Sequence, residues 1–79
     1  MTKAKTPTVS WSTECRGILI GTLGDHTAQL TKLPGKAKAA YRIDIDGEYA
    51  TSLRGRLPER VLGDARREAE YLLARRNGQ

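Results

Sequence analysis

The sequence predicts an α+β domain: an antiparallel sheet of three to four strands with one long C-terminal helix packed on one face. Three observations carry this. Tyr41-Arg42-Ile43-Asp44-Ile45 alternates apolar and polar residues, the period of a half-buried strand. Asp46-Gly47 follows as a turn, and the alternation resumes at Tyr49, Thr51 and Leu53. After Pro58 the period becomes helical: Val61, Leu62, Ala65, Ala69, Leu72 and Leu73 fall within about 120° on a wheel of about 100° per residue.

Taken in chain order, residues 1–7 are polar and basic without periodicity, the composition of a disordered arm, and residues 8–79 form a single compact domain. Thr8-Val9-Ser10-Trp11-Ser12 alternates as a short strand does, with Trp11 as an anchor for the core edge. Glu14 to Leu23 is the next strand candidate. Ile18 and Ile20 share one face; Cys15, Leu19 and Leu23 share the other with Gly17 and Gly21. Two glycines within one strand predict a bulge, a bend or the close approach of another backbone. The stretch GILIG is no phosphate loop, lacking the Lys-Ser/Thr ending and the strand-loop-helix setting. Leu23-Gly24-Asp25-His26 reads as a turn, Thr27 to Leu33 as a strand, Pro34-Gly35 as its end, and Lys36-Ala37-Lys38 as a basic loop or strand start.

Parity selects the hairpin loop. A two-residue Asp46-Gly47 loop places Tyr49 opposite Asp44, away from the apolar face. A three-residue loop closed by Asp44 and Glu48 pairs Ile43 with Tyr49 and Tyr41 with Thr51, so the three-residue loop is expected. The helix is expected from about residue 58 to residue 76. Pro58 is tolerated in its first turn, Glu59 suits the positive end, and Arg75 and Arg76 suit the negative end. Arg60–Asp64 and Arg66–Glu70 are spaced as i,i+4 ion pairs, and Arg60, Arg67 and Tyr71 occupy the face opposite the stripe.

Composition argues against catalysis and metal chemistry. The 79 residues contain one Cys and one His, so there is neither an internal disulfide nor a four-ligand zinc site. Cys15 and His26 lack a visible third group for nucleophilic catalysis. Asp44, Asp46 and Glu48 are too closely spaced for a calcium loop, and turn chemistry accounts for them. No cofactor is expected. The longest apolar run is Ile18-Leu19-Ile20, too short to span a bilayer, and no signal peptide is apparent, so a cytoplasmic, soluble protein is expected, without membrane partners and as a monomer or small homo-oligomer. Nine Arg and five Lys against nine acidic residues leave a net charge of +5, which favours acidic partners. A charge of this size is also ordinary for a small domain.

The cations form two groups: Lys32, Lys36 and Lys38 flank Pro34-Gly35, and Arg54, Arg56 and Arg60 straddle the strand-to-helix connection. The antiparallel hairpin draws Lys38 toward Arg54, so one end of the sheet is basic and the hairpin tip acidic. Those six residues are the expected partner-binding set, and a bipolar layout can orient a partner.

The order of strands followed by one long helix with basic loops, over residues 8–76, resembles the small sheet-plus-helix DNA-binding domains of phage integrases and plant transcription factors. Those domains lay a sheet in the major groove. Here the sheet sets Arg42 beside Asp44 and offers few cations. The profile of a small, basic, Ala- and Arg-rich chain without catalysis resembles the inhibitors encoded by phages and mobile elements, anti-CRISPR proteins among them. That resemblance implies docking on a host nucleoprotein complex and blocking of its nucleic-acid site, on an acidic or nucleic-acid-recognising surface. Direct DNA or RNA binding is the alternative.

Overall fold

The computed structural model describes residues 9–35 and 38–78; the expected basic arm, residues 1–7, lies outside them. The elements are β1 (Ser10–Cys15), β2 (Ile18–Leu23), β3 (His26–Leu33), β4 (Ala39–Ile45), β5 (Glu48–Gly55) and α1 (Pro58–Arg76). The strands form one antiparallel meander in the order β1-β2-β3-β4-β5, and α1 packs on one of its faces.

Among the described residues the sheet therefore has five strands, not the expected three to four. The stretch Glu14–Leu23 is not one strand. It breaks at Arg16-Gly17, where Gly17 takes φ +82° and its carbonyl accepts the Lys32 backbone N–H at 2.8 Å. The chain before the break pairs with the chain after it, with Trp11 opposite Gly21. A Cβ at Gly21 would lie 2.8 Å from a Trp11 ring carbon. The glycine thus makes room for an indole, not for a backbone, and Trp11 closes the edge of the core through it.

The β4–β5 hairpin also differs from expectation. Asp46 and Gly47 have φ +53° and +84°, the two positive values of a type I′ turn, and Ile45 pairs with Glu48, so the loop has two residues. The register shifts after Tyr49: Asp44 pairs with Tyr49 but Ile43 with Thr51, leaving Ala50 as a bulge. The bulge restores the parity that a three-residue loop would have supplied. Thr51 and Leu53 reach the apolar face, while Tyr49 turns to the opposite face and is 59% exposed.

The core lies between α1 and the sheet. Leu30, Ile43, Ile45 and Leu73 are its largest fully buried side chains. Val61, Ala65, Ala69 and Leu73 run down the buried line of the helix, with Leu62 and Leu72 packed at its margins. Helix bounds match expectation, with Pro58 in the first turn and Arg75 and Arg76 in the last. The other face of the sheet, with Ile18, Ile20, Gln29, Thr31, Arg42 and Asp44, carries no packed element among the described residues. Among the described residues no helix is long and apolar enough to cross a membrane.

Candidate binding surface at the basic end of the sheet

Antiparallel order gathers one set of chain segments at each end of the sheet. The β1–β2 turn, the end of β3, the start of β4, the end of β5 and the start of α1 meet at one end. They bring Lys32, Lys38, Arg54, Arg56 and Arg60 there, all exposed, and add Arg16. Lys36, the sixth expected residue, lies outside the described residues.

Three adjoining hollows connect these cations. One, of about 200 Å³, is lined by Lys32, Lys38 and Arg56 over Leu33, Ala39 and Pro58. A second shares Arg56 and adds Arg54, Leu57, Arg60 and one carboxylate, Asp64; a third shares Lys32 and adds Arg16. Lys38 is brought to Arg56 more than to Arg54, because the ladder sets Arg54 opposite Ala40 and Gly55 opposite Ala39. Among the described residues none of Arg16, Lys32, Lys38, Arg54, Arg56 and Arg60 lies within 4.0 Å of a carboxylate oxygen; the basic partners of the carboxylates are His26, Arg42, Arg67 and Arg76.

The expected helix pairs are replaced. Asp64 approaches Arg67 at 3.9 Å, so Arg60 is left to the basic surface. Glu70 accepts the Trp11 indole N–H at 2.9 Å, and the Arg66 guanidinium lies over the Trp11 ring, 5.4 Å from its centroid. That contact staples the first strand to the helix across 59 residues.

At the hairpin end the acidic cluster is occupied from within. Asp46 Oδ1 accepts the Thr27 backbone N–H at 2.9 Å, and Oδ2 lies 2.8 Å from His26 Nδ1 and 3.3 Å from Arg76 Nη1. Arg76 Nη2 also reaches Glu48 at 3.4 Å. The Thr27 N–H, then the His26 hydrogen bond, and the charges of His26 and Arg76 hold the Asp46 carboxyl below its ordinary value of 3.8, against a small opposing effect of burial. Arg42 Nε donates to Asp44 at 3.0 Å and stacks over the Tyr49 ring at 5.0 Å. Among the described residues no group of three His, Cys, Asp or Glu is arranged to hold a metal ion. Cys15 ends β1 at the basic end, whereas His26 opens β3 at the hairpin end, so the fold does not bring the two together.

Sequence reasoning missed Arg16, because a strand through Glu14–Leu23 gives it no loop; the Arg-Gly dipeptide was the available turn signal. Compared with protein families, characterised proteins and solved structures, the chain shows no match.

Proposed function

We propose that the protein is a non-enzymatic binding module of inhibitor type, acting in the cytoplasm. In this reading the basic end of the sheet docks on an acidic or nucleic-acid-recognising surface of a larger nucleoprotein complex and blocks its nucleic-acid site, as anti-CRISPR proteins do. One observation supports it above others. Arg16, Lys32, Lys38, Arg54, Arg56 and Arg60 share one end, none within 4.0 Å of a carboxylate oxygen among the described residues and with Asp64 the one acidic residue lining their hollows, while Asp44, Asp46 and Glu48 at the other end are each engaged. Cations that make no internal pair keep their whole electrostatic attraction for a partner, and four of the six are arginines, whose planar guanidinium suits carboxylate and phosphate.

Direct nucleic-acid binding is the second reading. It is favoured by the continuity of the cations along the three hollows, since a phosphate backbone is held by a succession of Lys and Arg side chains.

Lys38→Glu combined with Arg56→Glu tests both. Both residues line one hollow, are exposed and take part in no ion pair among the described residues, so the melting temperature should hold while partner capture from host lysate is lost. Arg67→Glu, on the outer face of α1, is the control and should bind as the native protein does. Nuclease treatment separates the readings, and direct binding to duplex should weaken with salt at a log–log slope near about −0.9 per phosphate contact. If the double reversal binds normally and Arg67→Glu does not, the helix is the interface.

A further inference from the structure

The junction of β5 and α1 departs from ordinary helix chemistry. Leu57 stands at the N-cap with extended backbone, φ −102° and ψ +116°, and makes no side-chain cap hydrogen bond. Ser, Thr, Asp or Asn at this position would accept a free N–H of the first turn, which Leu cannot. The Leu57 side chain is also 52% exposed. Among the described residues the two other large exposed apolar side chains, Tyr49 and Tyr71, each lie under an arginine of their own, Arg42 and Arg75. Leu57 instead lines a hollow with three arginines, Arg54, Arg56 and Arg60, and a single carboxylate, Asp64.

We propose that Leu57 is the apolar anchor of the basic surface, and that the partner is a protein patch with an apolar socket rimmed by carboxylates. This rests on the reading that the basic end docks, and specifies what it docks on. Protein interfaces combine an apolar centre with a polar rim and favour arginine among their strongest contacts. A nucleic-acid backbone offers an exposed leucine nothing to bury against. A second copy of this chain is disfavoured on the same surface, because Arg54, Arg56 and Arg60 would face their own kind with Asp64 alone to offset them. A locally unfavourable residue that serves a partner is the pattern expected at a functional site.

The test uses two glutamate-rich peptides, one with a central Phe and one with Ala in its place, and a short DNA duplex, titrated by fluorescence anisotropy over a range of salt. The native protein should favour the Phe peptide by about tenfold, the loss expected when an apolar anchor finds no socket partner. Leu57→Ser and Leu57→Ala should each lose that preference and keep the salt dependence, while Leu57→Met retains it. The Leu57→Ser melting temperature should hold or rise, because serine supplies the missing cap. Persistence of the preference in both truncations would overturn the proposal, as would a duplex that outcompetes both peptides. Absence of salt-dependent binding to any probe would instead remove the docking reading on which the proposal stands.

Discussion

At the hairpin end of the sheet, the carboxylate of Asp46 joins β3 to the helix C-terminus through Thr27, His26 and Arg76, partners 19, 20 and 30 residues away. At the opposite end six cations crowd three connected hollows, and none lies within 4.0 Å of a carboxylate oxygen among the described residues. The same kinds of side chain are thus spent on internal order at one end and left to the surroundings at the other. Exposed ion pairs add little each, so the paired end gains mainly register and closure between distant segments. The basic end gives up even that small gain. Mutual repulsion of its cations is tolerable because the apolar core between helix and sheet, which spans both ends, supplies the stability.

That division of labour can be broken first at the core. Leu73 is fully buried beneath the helix, whereas Leu72 lies at the margin beside β5. Leu73→Ala should cost about 2–5 kcal/mol, a large share of the stability of a domain this small, and abolish both ends together. A denaturant midpoint close to native would show that the ends are held by their own contacts instead. Gly47→Val comes next and acts on the paired end alone. No atom lies within 4 Å of where its Cβ would stand, so the whole cost is the φ of +84°, about 1–3 kcal/mol for a β-branched residue. Urea melts of Gly47→Val and Gly47→Ala, which is strained less, should rank in that order. Binding by the basic end should survive in whatever fraction remains folded.

Much of this architecture was legible in the chain, and the failures have physical causes. α1 was readable to the residue because Pro58 and the line Val61, Ala65, Ala69, Leu73 are local signals. The face of Thr51 and Leu53 was also readable, since parity demands it. The device that achieves it was not: a bulge at Ala50 and a longer loop satisfy the same alternation, and only the backbone register separates them. Tyr49 paid for that ambiguity by being assigned to the core. The gathering of Lys32, Lys38, Arg54, Arg56 and Arg60 at one end was foreseeable from loop composition; Arg16 was not, nor was Lys38 meeting Arg56 in place of Arg54. The Asp46–Arg76 and Trp11–Glu70 contacts were not, because nothing local marks residues 30 and 59 positions apart as neighbours.

The smallest expected effect is the acid response of the paired end, and it separates the two ends most finely. In the folded protein Asp46 titrates below its ordinary value of 3.8, chiefly because the Thr27 N–H, and then His26 and Arg76, favour the charged form. A carboxyl depressed on folding contributes stability that is fully present above its unfolded value and is lost as pH falls through its folded value. Asp46→Asn keeps an oxygen for the Thr27 N–H and removes the charge. Its melting temperature should therefore lie below native near neutrality, and the gap should close as pH drops from about 5 to about 2. Arg54→Gln with Arg56→Gln breaks no ion pair among the described residues and should show no such closing gap. Any difference it shows should grow in the opposite sense, because removing cations eases repulsion once the carboxylates are protonated. A gap for Asp46→Asn that stays constant across that range would mean that the carboxylate's charge holds nothing, and that the hairpin end is ordered by its turn alone.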